Sequence, residues 1–358
     1  MFHFREGSEM SLKPKIAFLQ SNLGEEEVAV LTEMLPSDLS KAKLLYTSNP
    51  FNIDTMDGEF EMVINLGLVN NIRFINKFFI RVNERLELGQ CYVGRFESIR
   101  NRYSRKKKRL NPILFAFNFI FDFLFLRLTP KIWGLKKIYF LVTRGRNRLI
   151  SKGEVLGRLV SCGFDIVSIK NVQGIHYFVA KKVTDPIVED NPSYGPLIKL
   201  SRMGRDGKII QVYKFRTMHP YAEYLHDYIL RQNGYADTGK PADDFRLAFY
   251  GPFLRRYWLD ELPQLINVFK GEMKLMGVRP VSPRYFQDIP EDLQQLRLKH
   301  KPGCIPPYVA LDRPGSKDDV LEAEREYLLM KEKNPYFTDT KLFFRAIFNI
   351  LFRRKRSA

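Results

Sequence analysis

The sequence predicts two domains. One is an N-terminal α/β domain of Rossmann-like type over residues 1–183, and the other is a separate C-terminal domain over 195–358. Three observations carry this reading. Before residue 183, apolar strand-like runs alternate with helical periodicity. The polar stretch VTDPIVEDNPSY at 183–194, with two prolines, breaks that periodicity and makes 184–194 a linker. A chain of 358 residues is also long enough to build two cores.

In order along the chain, EMVINLG (61–67) reads as a buried strand and VNNIRFINKFFIRVNERL (69–86) as an amphipathic helix. CYVGRFES (91–98) is a second strand, GEVLGRLVSCG (153–163) a helix, and FDIVSIKNVQGIHYFVAKK (164–182) two strands around an Asn/Gln/Gly turn. This order resembles the C-terminal half of a class I methyltransferase fold. No Gly-x-Gly loop precedes residue 61, so a cofactor phosphate would have no backbone cradle. The domain is therefore read as a degenerate, non-catalytic relative, with an active methyltransferase as the alternative.

Within this domain the cationic run Arg102–Arg109 (RYSRKKKR) leads through Asn111–Pro112 into the Phe-rich segment PILFAFNFIFDFLFLRL (112–128). A helix would carry Asn118 and Asp122 on one side and phenylalanines over the rest. Two readings stand. The region 112–142 is a membrane-contact segment whose basic flank lies on anionic headgroups, or it is a buried helix preceded by a solvated basic loop.

Lysine and arginine exceed aspartate and glutamate by 58 to 40, a formal charge of +18, and phenylalanine reaches 29 residues. That combination favours phosphorylated substrates or an anionic membrane surface. Nucleic acid is not expected, because no helix-turn-helix, zinc or aromatic-platform motif accompanies the charge. The N-terminus lacks the apolar core of a signal peptide, and the absence of an uncharged run of roughly 20 apolar residues excludes a conventional multi-span protein. Cys91, Cys162 and Cys304 fit no metal spacing and read as free thiols.

In the C-terminal domain, two strand-like runs flank Gly204-Arg-Asp-Gly207 as a hairpin. Residues 219–250 read as an insertion loop or lid. At the end of the chain, Phe344, Ile347, Phe348 and Leu351 share a helical face ahead of four cations. This is either an interfacial helix or a docked terminal helix with a solvated tail.

Residues 259–283, LDELPQLINVFKGEMKLMGVRPVSP, concentrate the chemistry. Asp260 and Glu261 begin a helix, where acids and Pro263 suit the first turn. Neighbours on an α-helix point about 100° apart, so one carboxylate is free to face substrate while the other holds a metal. Leu262, Leu265, Ile266 and Phe269 are expected to pack that helix on a core. Cations surround the pair in sequence: Lys214 and Arg216 alternate in KFRTM, Arg255 precedes the acids, and Arg279 follows on a proline-stiffened turn. Arginine forks suit phosphate oxygens.

Three blocks in this order, KFRTM (214–218), LRRYWLDELPQLINVFKGEMKLMGVRP (254–280) and KPG (301–303), resemble the bacterial sugar transferase family, the monotopic phosphoglycosyl transferases that act on polyprenyl phosphate. The resemblance implies an α+β catalytic domain that transfers a sugar-1-phosphate from a UDP-sugar to undecaprenyl phosphate and releases UMP. It implies Asp260 as nucleophile through a phosphosugar–Asp intermediate, and Glu261 as the Mg²⁺ ligand. Arg279, with Lys214, Arg216 and Arg255, is implied to bind substrate phosphate. The expected setting is the cytoplasmic face of the bacterial inner membrane, at the start of exopolysaccharide, capsule or O-antigen-type synthesis, with other glycan-assembly enzymes as partners. A catalytically inactive scaffold of such an assembly is the alternative.

The chain departs from the family pattern at Lys274-Leu-Met-Gly-Val278-Arg-Pro, at Pro302-Gly-Cys304-Ile-Pro-Pro307, and before Gly195–Pro196. There the family carries a re-entrant membrane helix and this chain has the polar linker. Either the Phe-rich segment replaces that anchor, or a partner recruits the enzyme.

Overall fold

The structure, a computed structural model, describes residues 12–58, 60–132, 134–186, 194–234, 244–313 and 316–352. Most of the expected linker (187–193), the tip of the expected insertion (235–243) and the basic tail (353–358) lie outside the described residues. The chain forms two compact units, Met1–Tyr194 with His219–Arg246, and Gly195–Met218 with Leu247–Ala358. The C-terminal domain expected to be continuous over 195–358 is thus interrupted, because residues 219–246 fold with the first unit.

The first unit is built on a mixed five-stranded sheet. Its strands are β1 (Ala42–Leu45), β2 (Met62–Leu68), β3 (Cys91–Phe96), β4 (Phe164–Val172) and β5 (Ile175–Lys182), in the order β1-β2-β3-β5-β4. The first three run parallel, and β5 is antiparallel to both of its neighbours. Gln173 and Gly174 turn the β4–β5 hairpin with φ of 48° and 89°, as a two-residue hairpin loop requires. Val63, Tyr92 and Phe96 belong to a core on one face with Phe78, Phe79 and Leu156, whereas Met62, Ile64 and Val93 belong to a core with Leu19 and Leu31 on the other. Burial on both faces is why 61–67 reads as an unbroken apolar run.

Two features were not legible. The strand β1 is four residues with no alternation, and the helix expected from 69 begins at Ile75. Asn70 is the reason for the delay. Its side chain donates to the Glu97 and Arg148 carbonyls (both 2.9 Å) and accepts from the Glu97 N–H (2.8 Å), so Val69–Asn71 forms a 3₁₀ turn instead.

The stretch expected as a loop or lid is partly core. Leu225 and Ile229 are fully buried beside Tyr228 in the same cluster as Phe78 and Phe79. The segment approaches helix Lys152–Ser161 so closely that a Cβ on Gly157 would lie 2.2 Å from the Tyr221 carbonyl oxygen. Glu154 of that helix is wholly buried. It is paired with Arg127, with Lys131 at 3.3 Å and with Arg158 at 2.9 Å. Burial alone would raise its carboxyl, but these cations and Arg148 hold it well below the usual range. Burial, followed by Arg127, pushes the neighbouring His219 down to about 3.

The Phe-rich segment is helical, Pro112–Phe121 continuing as a π-helical stretch Asp122–Leu128. No residue of Pro112–Phe121 is buried, against the buried-helix reading for that stretch, whereas Asp122, Leu126 and Arg127 beyond it are buried. The basic run before it is also helical (Ile99–Arg109), not a loop. Asn118 and Asp122 do share a side, and both accept from Lys106 Nζ, at 2.9 and 2.6 Å.

The second unit mixes two small β-elements with helices. The expected hairpin is β6 (Leu197–Met203) with β7 (Ile209–Phe215), antiparallel and turned through Asp206 and Gly207 at positive φ. β8 (Lys274–Met276) pairs in parallel with β9 (Gly303–Ile305). Helices Pro307–Leu311, Lys317–Lys333 and Phe337–Phe352 surround a core that includes Met276, Val278, Leu293, Tyr308, Tyr327 and Ala346. The last helix docks through Leu342, Ala346 and Asn349, whose amide donates to the Val309 carbonyl (2.9 Å). Its Phe344, Phe348 and Phe352 stay exposed. The helix is therefore docked as one of the two readings expects; the tail that reading includes lies outside the described residues.

Candidate active site

The acid pair sits on a 3₁₀ helix, Leu259–Gln264, entered through Trp258 at φ 60° and followed by the short α-helix Leu265–Phe269. The pair thus lies on a 3₁₀ helix and not, as expected, on the first turn of an α-helix. In a 3₁₀ helix successive side chains are about 120° apart, yet both carboxylates reach the same cation. Lys214 Nζ lies 2.9 Å from Asp260 Oδ2 and donates to Glu261 Oε1 at 3.1 Å. Arg279 Nη2 donates to that same Glu261 oxygen at 2.7 Å. Asp260 is only 2% exposed and Glu261 is also buried.

Packing of the 259–269 segment reverses the expectation. Leu262, Leu265, Ile266 and Phe269, read as the core face, are exposed, Phe269 by 90%. The inward side is Pro263, Gln264 and Asn267 instead. Asn267 is fully buried and ties the segment to β7, donating to the Gln211 carbonyl (2.8 Å) and accepting from the Tyr213 N–H (3.1 Å). A polar clamp to a strand edge, not an apolar stripe, therefore places Asp260 and Glu261 beside Lys214.

The remaining cations divide. Arg216 directs Nε to the Gly195 carbonyl oxygen (2.8 Å), and Arg255 donates to Thr217 Oγ1 at 3.1 and 2.8 Å. Neither lines the cavity beside the acids, so the structure brings Lys214 and Arg279 to the pair and places Arg216 and Arg255 elsewhere. In their stead come Arg202 and Arg297, which were not singled out. Leu200 and Arg202 on β6 and Val212 and Lys214 on β7 lie on one face of the hairpin and line a cavity of about 460 Å³. Glu261, Gln264, Arg279, Tyr285, Arg297 and Glu324 complete much of its wall. The alternation in LSRM, the same that drew attention to Lys214, was the available signal for Arg202. Arg297 had none: it lies on a helix remote in sequence, pairs with buried Glu324, and donates to the Arg279 carbonyl (2.6 Å). Gln264 lines the cavity, and its Oε1 is buried without a hydrogen-bond partner.

The Lys-Pro-Gly at 301–303 has a steric cause. A Cβ on Gly303 would stand 2.1 Å from the Gly277 backbone nitrogen, where the β9 strand crosses the turn leading to Arg279. Gly303→Ala is expected to destabilise the second unit by about 3 kcal/mol, the upper part of the overpacking range, measured as a shift in urea midpoint. Val278, within the first of the departures from the family pattern, is core rather than cavity wall.

Among the described residues no group of three or more His, Cys, Asp or Glu side chains is arranged to hold a metal ion. The donor chemistry at the pair still suits Mg²⁺, which takes hard oxygens and often only one or two protein carboxylates with substrate phosphates.

Residues 179–353 match the family described as Bacterial sugar transferase. Over these residues the chain is similar to that family. Among curated relatives, a galactosyl transferase CpsE of Streptococcus agalactiae is 41% identical over 30% of this chain and 24% of its own length. The UDP-glucose:undecaprenyl-phosphate glucose-1-phosphate transferase of Escherichia coli is 33% identical over 44% of this chain and 33% of its own. The exopolysaccharide production protein ExoY of Sinorhizobium fredii is 34% identical over 35% of this chain and 55% of its own. The chain thus spans between about a quarter and about half the length of these relatives. Lys214, Asp260, Glu261 and Arg279, which the structure brings together, all lie within the matched residues.

Proposed function

We propose that the matched part of the chain moves a sugar-1-phosphate from a UDP-sugar to undecaprenyl phosphate, releasing UMP. The observation that carries this reading is the cavity whose wall combines Arg202, Lys214, Arg279 and Arg297 with Glu261, and whose lysine also holds Asp260. Cations at that density suit a diphosphate. In the first half-reaction an Asp260 oxygen attacks the phosphorus that bears the sugar, and the P–O bond to UMP breaks. In the second, an oxygen of undecaprenyl phosphate attacks the same phosphorus and frees the Asp260 carboxylate. A carboxylate nucleophile divides one displacement into two easier ones.

Lys214 pairs with both acids and Arg279 with Glu261. An arriving diphosphate competes for both cations, which releases Asp260 to react only once the donor is seated. Mg²⁺ bound by Glu261 and the donor's phosphates would supply further charge neutralisation. Chelation is therefore expected to stop turnover and Mg²⁺ to restore it, and Glu261→Gln is expected to raise the Mg²⁺ concentration required by roughly tenfold or more, by analogy with lost metal-site support.

Under this reading the enzyme works at the cytoplasmic face of the bacterial inner membrane, where nucleotide sugar and polyprenyl phosphate meet. It starts an exopolysaccharide, capsule or O-antigen-type glycan alongside other assembly enzymes. The N-terminal unit is read as a Rossmann-like domain without a cofactor cradle; its three parallel strands and closing antiparallel hairpin support that. A catalytically inactive scaffold is the rival, and it has no use for a cation-lined cavity at an acid pair. The test is to incubate membranes containing the protein with undecaprenyl phosphate and a panel of UDP-sugars, then weigh the lipid product. A lipid-linked sugar phosphate with matching UMP is the expected result. No lipid product and no UMP from any donor would leave the scaffold reading standing.

A further inference from the structure

We propose that the two-helix element 112–143 of the first unit docks in the plane of an anionic lipid bilayer and inserts one face without crossing. It lies outside the matched sugar transferase residues. Its first arm, Pro112–Lys131, is the one described helix long and apolar enough to cross a membrane. Its second is helix Leu135–Thr143.

The arms are joined by a small core of Ile99, Leu126, Tyr139 and Leu149, and each leaves an apolar face to solvent. On the first arm Ile113, Phe117, Ile120, Phe121 and Leu124 are exposed, Phe117 by 70%. Their spacing of three and four residues puts them on one side. On the second, Leu135, Ile138, Leu141 and Val142 are exposed, Leu141 by 80%. Two unpartnered apolar faces in succession are more than scattered surface hydrophobics.

Charge identifies the occupant. From Ile99 to Lys152 the chain carries fifteen lysines and arginines and a single acid, Asp122, and that acid is already paired with Lys106. Lys107, Lys108 and Arg109 are exposed just before the first arm, Lys136 and Lys137 at the start of the second, and Arg144 and Arg146 just after it. Apolar faces bordered by cations at each end fit anionic headgroups over acyl chains. They do not fit a second copy of this element, which would bring like charges together.

The inner side of the first arm decides between lying in the membrane and crossing it. Tyr103 packs on Phe119 (ring centroids 4.6 Å), Lys106 binds Asn118 and Asp122, and Arg127 donates to the Leu149 carbonyl (3.1 Å) and pairs with buried Glu154. These ties run from residue 118 to 127, through the middle of the helix. Crossing would carry the Lys106–Asp122 pair into hydrocarbon or tear the helix from its unit. Only the outer face is free.

The test uses the full chain with sealed vesicles of phosphatidylcholine alone or mixed with phosphatidylglycerol. The protein is expected to float with the anionic vesicles, less so as salt rises. Phe117→Asp combined with Leu141→Asp, both on exposed positions, should lower partitioning about a hundredfold with thermal unfolding unchanged. Failure to float, equal flotation of the double variant, or a dimer that the double variant dissolves would each overturn the proposal. Depth is read from Lys108→Cys and Lys137→Cys labelled by an impermeant maleimide above the wild-type background. Both should react from outside, and protection of either one means the helix has crossed. No turnover enters these readouts, so their failure is separate from failure of the proposed chemistry.

Discussion

Asp260→Asn is expected to lower UMP release from the preferred donor by about three orders of magnitude or more, as loss of a covalent nucleophile does elsewhere. Asparagine keeps the shape of the side chain, so Lys214 stays near and Glu261 continues to anchor both cations. The unfolding midpoint should therefore move little while activity collapses. The same substitution should abolish the labelled phosphosugar that remains on wild-type protein after donor and Mg²⁺ are mixed without lipid. Full turnover in Asp260→Asn would remove this residue as nucleophile, and Glu261, across the same lysine, would be the carboxylate to test next.

Glu154→Gln should have the largest effect on stability, about 3–5 kcal/mol, because it leaves Arg127, Lys131 and Arg158 buried together without their counter-charge. The pH dependence follows from the direction of the shift. The Glu154 carboxyl titrates lower in the folded chain than its ordinary value of 4.5. Its stabilisation is therefore absent below the depressed folded value, grows as the pH rises from that value, and is complete above about pH 4.5. Thermal unfolding of both proteins across pH should show a wide, constant gap from neutral pH down to that point and a shrinking gap below it. A gap that is already narrow at pH 7 would mean that solvent or rearrangement screens the cluster.

The amino-acid sequence disclosed those parts of the fold in which local pattern and tertiary demand agree. The strands at 62–68 and 91–96 and the Gln173–Gly174 hairpin are of this kind, since apolar runs and turn residues each have one favourable use. Where a buried polar side chain takes over, the pattern misleads. Asn70 delays a helix by binding two carbonyls contributed by distant segments. Asn267 turns LPQLINVF inside out, because its amide satisfies the exposed edge of β7 and leaves four apolar residues outward. At the candidate site, Lys214 and Arg279 were legible because they lie close in sequence to recognisable turns and acids. Arg297 was not, since its approach to the Arg279 carbonyl depends on packing between helices far apart in the chain. Arg216 and Arg255 alternated or clustered as suitably as Lys214, yet their guanidiniums serve the backbone at Gly195 and the hydroxyl of Thr217.

Residues 219–246 leave the second unit and return to it, so the chain passes between the units three times, at 194–195, 218–219 and 246–247. No single cut yields either unit intact. A fragment beginning at 195 would carry Leu225, Tyr228 and Ile229 with nothing to cover them, and a fragment ending at 194 would lack part of its own interior. Transplanting the transferase portion onto another carrier requires resewing the chain at two further points.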